Sequence, residues 1–194
     1  MKEDILEQLT DDFLQTRGYF TRHNVKFLPD PSHPDFESKQ DSNHSDIDVV
    51  GFNPNLVGPE RVMAVSCKSW QGGFSPATRI RKIDEDGIIS GRQAWRAFRE
   101  LVKAKWAEAF REKITELTGE SEFTYVTAVT RVKGEKTTWE THQPFLDMIG
   151  APIRIITFQE MLDELWGKSD TTVASSSIGR TLQLIKASGW EIPL

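Results

Sequence analysis

Two short apolar runs carry reactive side chains at alternate positions: Ser45-Asp46-Ile47-Asp48-Val49-Val50-Gly51, and Val62-Met63-Ala64-Val65-Ser66-Cys67-Lys68-Ser69-Trp70. Alternate residues of a strand share a face. Asp46 and Asp48 therefore point one way along the first run, as do Ser66 and Lys68 along the second. If the two strands pair with those faces aligned, a carboxylate and an ammonium converge in apolar surroundings. Charge buried there is costly unless it is paired or holds a metal. Such a pair suits metal-assisted phosphodiester hydrolysis. The acid holds a hard cation, and the lysine orients or deprotonates water or neutralises phosphate charge.

A second set of residues is basic. Arg79, Arg81 and Lys82 lie after Lys68, and Arg92, Arg96, Arg99 and Lys103 follow at steps of four, three and four. On a helix the last four share a narrow stripe, with Ala94, Phe98, Leu101, Val102 and Ala109 facing elsewhere. Cations in a row with no acid among them would track a phosphate backbone; the competing reading is a solvated face paired with nearby acids. The chain carries a net charge of -5, so nucleic-acid binding has to rest on local clustering of this kind. Trp70, beside Gln71-Gly72-Gly73, is a candidate to stack on a base or sugar, with core packing as the alternative.

Periodicity supplies the elements that would position these groups. Ile5, Leu6, Leu9, Phe13 and Leu14 form a helical stripe, which predicts a helix over 3–17 capped by Gly18. Strands are predicted at 19–27, 47–52, 61–70, 123–130 and 152–158. Further helices are predicted at 90–117, 139–148, 159–166 and 178–187, the last closed by Gly189. The proline-rich stretch 28–45 and the stretch 71–89 read as long loops, and 53–60 as a turn. Three successive strands suggest a meander, and the later alternation with helices suggests parallel crossovers. The expected fold is α/β: a mixed central sheet flanked by helices. One domain is expected over 1–166, then a Gly/Ser/Thr/Asp-rich linker over 167–177 and a C-terminal helix within 178–194 packed on the same domain.

Composition narrows the class. At 38% hydrophobic and 27% charged residues, the chain resembles an ordinary soluble globular protein. No apolar run approaches the roughly 18 residues of a membrane span, so no membrane partner is expected. Met1-Lys2-Glu3-Asp4 begins an acidic amphipathic pattern rather than a signal peptide. The single cysteine, Cys67, excludes an intramolecular disulfide and a cysteine-based zinc knuckle. A cytoplasmic location is the expectation.

The order helix, three-strand meander, helix, strand, with Asp48-Val49-Val50 on the second strand and Ser66-Cys67-Lys68 ending the third, resembles the PD-(D/E)XK nuclease superfamily. Within that restriction-endonuclease-like fold it is most similar to Mrr-type restriction enzymes and Holliday-junction resolvases. Those proteins open with a helix carrying a glutamate and a Gly-Tyr step into the first strand, matched here by Glu7 and Gly18-Tyr19. The resemblance covers roughly residues 3–160, judged by element order. It implies an endonuclease of restriction, repair or defence type, with Mg²⁺ or Mn²⁺ as cofactor and DNA as partner. Asp48, Lys68, Glu7 and the Ser66 position would be catalytic. Asp48, Asp46, Glu7 and the Cys67 carbonyl would hold the metal. A homodimer is the simplest assembly for cutting both strands of a duplex.

One departure matters: Ser66 stands where the family carries its third-strand acid. Some members move that acid to a neighbouring element. Candidates here are Asp46, Glu7, Glu100 and the Asp84-Glu85-Asp86 run. The alternative is a catalytically inactive nuclease fold that binds DNA or a protein partner.

Overall fold

The computed structural model describes residues 4–168, 174 and 176–189. Helix α1 (Ile5–Thr16) begins where Asp4 Oδ1 accepts the Leu6 N–H at 2.8 Å. It ends before Gly18, whose φ of 86° turns the chain into β1 (Phe20–Phe27) at little steric cost. Next come α2 (Ser38–Asp41), β2 (Ser45–Phe52), a 3₁₀ turn (Gly58–Arg61) and β3 (Val62–Lys68). Helix α3 (Pro76–Asp84), β4 (Ile88–Ile89), β5 (Arg92–Gln93) and a 3₁₀ segment (Ala94–Leu101) lead into α4 (Ala104–Thr118). The remaining elements are β6 (Thr124–Val129), α5 (Thr137–Glu140), α6 (Gln143–Ile149), β7 (Ile153–Thr157), α7 (Phe158–Lys168) and α8 (Ser177–Ala187).

Five strands form one mixed sheet in the order β1-β2-β3-β6-β7. The β1–β2 and β2–β3 pairs are antiparallel; β3–β6 and β6–β7 are parallel. The α/β fold with a meander and parallel additions is therefore what the chain builds. Strand β6 is buried along its whole length and β3 over Val62–Ser66, because helices cover both faces and leave no solvated side. On one face α1 and α7 pack Leu9, Phe13 and Met161 against Val49, Val65 and Val126, with Ile178 and Leu182 of α8 at the edge. On the other face Phe98, Trp106, Phe110 and Trp139 cover Val50, Ala64, Tyr125 and Val129. Among the described residues no helix is long and apolar enough to cross a membrane.

Four stretches differ from the expectation, the first being 139–148, where α5 ends at Glu140 and α6 begins at Gln143 in place of one helix. The stretch 71–89 is not a loop: Ser75-Pro76 opens α3, and Ile80 and Ile83 bury its inner face. The stretch 90–117 is not one helix. It is the second arm of a β4–β5 hairpin, then the 3₁₀ segment, then α4. The break falls at Phe98 (φ -147°, ψ 49°), which is fully buried in an aromatic cluster. The stretch 28–45 contains α2 and is pinned to α4 through Asp41. Of the predicted linker, residues 169–173 and 175 lie outside the described residues; 167–168 complete α7, and α8 takes in 177.

Candidate active site

The sheet loosens around Asp48. The β2–β3 ladder runs from Phe52–Val62 to Val49–Val65. Beyond that pair, Asp48 Oδ2 instead accepts the Cys67 N–H at 2.6 Å. On the other side, β1 and β2 pair at His23–Val49 and Val25–Ile47 but not at Asn24, the residue that the register sets opposite Asp48. Asn24 has a left-handed φ of 51°, uncommon for a non-glycine residue inside a strand. Asp48 thus sits where both neighbouring ladders are interrupted, and its carboxylate occupies the opening.

Lys68 closes the site from β3. Its Nζ donates to Ser66 Oγ at 2.7 Å and lies 4.0 Å from Asp48 Oδ2. Both side chains keep 17% exposure, enough to meet a ligand while remaining shielded. Beneath Ser66 the 3₁₀ segment inserts Glu100, only 5% exposed. Tyr125 Oη, which also contacts the Ser66 hydroxyl, donates to Glu100 Oε1 at 2.5 Å. Asp48, Lys68, Ser66, Tyr125 and Glu100 therefore form one polar array on the face covered by α4. Burial raises the Glu100 carboxyl above its ordinary range, and the Lys68 and Asp48 charges act on it in opposite directions. Asp48 is also raised, chiefly by burial, against the pull of Lys68 and the Cys67 N–H.

Glu7 reaches the same opening from α1, on the other face. Its carboxyl is pushed up to about 7, first by burial and then by the Asp48 and Asp4 charges. Asp4 is tied to the end of β3, where its Oδ2 accepts from Ser69 Oγ at 2.5 Å. A carboxyl with its pKa raised on folding holds a proton more tightly in the folded chain, so stability falls as pH rises between the two values. The chain, kept in chelator, is expected to lose about 1 kcal/mol through Glu7 between pH 4.5 and 7, with solvent screening allowed for. Urea melts across that range check this. Glu7→Gln should flatten the slope, and an unchanged slope would show that Glu7 titrates normally.

Asp46 and the acidic run separate from this opening, while Cys67 adjoins it through its backbone alone. Asp46 is exposed at the rim, opposite Lys26 of β1, and only its field reaches Asp48. The Cys67 side chain points into the α1–α7 core beside Thr10, where burial pushes its thiol up. The Asp84-Glu85-Asp86 run lies elsewhere: Glu85 pairs with Lys82, and Asp86 accepts from Gln93. Among the described residues, no group of three or more His, Cys, Asp or Glu side chains is arranged to hold a metal by itself.

The basic residues divide in the same way. Arg79, Arg92, Arg96 and Arg99 line one groove of about 1240 Å³, which begins at Trp70 and runs along the 3₁₀ segment that carries Glu100. Arg81 lines a different cleft with Asp84 and Glu85, and Lys82 pairs with Glu85 at 3.5 Å. Lys103 lines a third, with Asp35, Glu37 and Asp86. The single helical stripe is not formed, because Arg92 belongs to a strand and Arg96 and Arg99 to a 3₁₀ segment. Trp70 is not free to stack on a base: Arg79 Cζ lies 4.2 Å from its ring centroid, and Phe74 and Phe98 pack around it. Compared with protein-family models, curated proteins and solved structures, the chain matches none.

Proposed function

We propose that this chain hydrolyses DNA phosphodiester bonds with Mg²⁺ or Mn²⁺, as an endonuclease of restriction, repair or defence type. The observation that carries the reading is the convergence of Asp48, Lys68 and buried Glu100 where the sheet ladder is interrupted, beside a groove lined by arginines. The resemblance to PD-(D/E)XK nucleases supports the same reading, with Glu100 supplying the acid that Ser66 lacks.

The donor set fits a hard cation. Asp48 and Glu100 are oxygen donors raised by burial, and the site offers one lysine to offset them. Mg²⁺ commonly takes one or two carboxylates and completes its shell with water and substrate phosphate. Asp48 and Glu100 would hold it, with the Cys67 carbonyl as a further donor and water and substrate phosphate completing the shell. When bound, the ion polarises the phosphoryl oxygen and makes water a stronger acid. The Lys68 ammonium, fixed by its bond to Ser66, orients the attacking water and offsets charge building on the phosphate. Asp48 is held in place by the Cys67 N–H, so its carboxylate needs no reorganisation on binding.

A second reading draws on the lack of a ready-made three-ligand cluster among the described residues: an inactive nuclease fold that binds DNA or a protein partner. A cleavage assay separates the two. Plasmid, branched and single-stranded DNA are incubated with Mg²⁺ or Mn²⁺. At least one should be cut, EDTA should stop the reaction, and Lys68→Ala should slow it about a hundredfold. Cleavage in EDTA, or at the wild-type rate by Lys68→Ala, would overturn the assignment. DNA bound but never cut would favour the inactive fold.

A further inference from the structure

The groove beside the site has an uncommon charge pattern. In a chain of net charge -5, every charged residue lining it is an arginine. Among the described residues, Arg79, Arg92, Arg96 and Arg99 make no ion pair with a carboxylate. Arg99 Nη1 is buried with no hydrogen-bond partner. Three of the guanidiniums rest on indole rings: Arg79 on Trp70 at 4.2 Å, Arg96 on Trp95 at 5.1 Å and Arg99 on Trp106 at 4.7 Å. Contact with an indole face restrains a guanidinium and leaves N–H groups for an anion, which is how arginine suits phosphate.

One wall of the groove is the β4–β5 hairpin. Its tip residues, Ser90 (φ 49°) and Gly91 (φ 77°), are both left-handed, matching the twist of a two-residue hairpin. The base is anchored. The Ala94 N–H donates to Gly87 O at 2.9 Å, Gln93 Oε1 accepts from Arg96 Nε at 3.2 Å, and Ile89 packs on the core. The tip is open: Ser90, Gly91 and Arg92 are exposed, as is the large apolar side chain of Ile88 at 67%. Nothing in the fold accounts for an isoleucine standing in solvent at the mouth of a cationic groove.

We propose that the β4–β5 hairpin reads base edges in the major groove of B-form DNA, while Arg79, Arg96 and Arg99 hold the adjoining phosphates. The inference deepens the DNA reading and rests on it. The major groove of B-DNA admits a two-stranded ribbon. Ile88 and Arg92 project from opposite faces of the ribbon, so the tip would enter end-on. Arg92 would donate to guanine on one side, Ile88 would meet a thymine methyl on the other, and Ser90 would bond to a base edge between them. The deep, narrow major groove of an A-form duplex excludes the ribbon. A single strand would need an open aromatic platform, and the groove's one aromatic, Trp70, is covered by Arg79.

Binding by the full chain in EDTA tests this apart from cleavage. Fluorescence anisotropy compares duplex DNA, duplex RNA and single-stranded DNA over a range of salt, and a random-sequence duplex library is selected for bound sequences. Duplex DNA should bind at least tenfold more tightly than the other two, with a log K against log salt slope near -2.7, about 0.9 per phosphate contact. The selection should enrich a short motif. Arg99→Ala, at a residue with no bond to the hairpin, should lower the slope by about 0.9 and keep the motif. The double variant Ile88→Ser/Arg92→Gln, altered only at exposed positions, should still bind yet enrich no motif. Equal affinity for RNA duplex or single strand overturns the inference, as does a wild-type chain that enriches no motif or a hairpin variant that enriches the wild-type one. A chain that selects its motif but never cuts in Mg²⁺ sinks the hydrolysis reading alone. One that cuts but selects nothing sinks the hairpin assignment alone.

Discussion

Asp48→Asn and Glu100→Gln are each expected to slow DNA cleavage by about a thousandfold or more while leaving the chain folded. Both substitutions keep shape and remove charge. In the first variant the asparagine amide oxygen can still accept the Cys67 N–H, and in the second the glutamine amide oxygen can still accept the Tyr125 hydroxyl. What is lost is the negative charge that would attract a divalent ion. Because burial raises both carboxyls, neutralising either one also removes a cost to folding at neutral pH. Thermal melts in EDTA should therefore show both variants at least as stable as wild type at pH 8, with activity and stability moving in opposite directions. A merely structural pair would lose stability instead. Asp46→Asn, at the exposed rim, should change the rate by no more than about threefold. If Glu100→Gln retained cleavage within tenfold of wild type, Glu100 would not be the second acid of the proposed site, and Glu7 would be the next to test.

How visible such a site is in the sequence depends on whether its parts are local. Asp48 and Lys68 are legible because alternation within a strand is local, and the Val49–Val65 register then sets their faces together. Glu100 is only one of several eligible acids in the sequence. It reaches the site through the course of the 3₁₀ segment, and that course is set by packing far along the chain. Ala94, Phe98, Leu101 and Val102 fit helical spacing, which is why 90–117 reads as one helix. Phe98, however, is fully buried against Trp70, Phe74 and Trp139, with ring centroids 6.1, 6.0 and 4.8 Å away. Burying a phenylalanine contributes roughly 2–3 kcal/mol, more than the roughly 1 kcal/mol net of the helical hydrogen bond forgone. Aromatic packing therefore outweighs helix continuation, and the cationic stripe divides with it. A local signal for the hairpin does exist: Ser90-Gly91 is a turn dipeptide between Ile88-Ile89 and Arg92-Gln93. The arginine–indole contact in the groove has no such signal, since Trp95 and Trp106 read only as core.

The stretch 28–45 shows the same limit and yields the largest expected effect on stability. Asp41→Ala should cost about 3 kcal/mol and lower the melting temperature by about 6–12 °C. Prolines and polarity mark the stretch as a loop, but Asp41 is 1% exposed and answers three donors. It accepts the Glu37 N–H at 2.8 Å and Trp106 Nε1 at 3.0 Å, and it pairs with Lys105 Nζ at 2.6 Å. Lys105 also donates to Asp35 O at 2.6 Å, so a single ammonium ties the segment to α4 at two points, Asp35 and Asp41. Removing the carboxylate leaves a nearly buried lysine without its counter-charge and a fully buried indole N–H without an acceptor. The cost belongs to the orphaned partners, so Asp41→Ala/Lys105→Met should recover part of it, and a double-mutant cycle measures that coupling. Additive losses would mean that the pair carries no joint contribution. The pH dependence runs opposite to that of Glu7. Burial alone would raise Asp41, but Lys105, the Glu37 N–H and Trp106 together hold it below its ordinary value. A carboxyl lowered on folding stabilises above its unfolded pKa, and that stability is lost as pH falls through the folded value. Acid titration should therefore unfold wild type by a route that Asp41→Ala has already taken. The gap between the two chains should be widest near pH 6 and should narrow as pH falls below the ordinary carboxylate range.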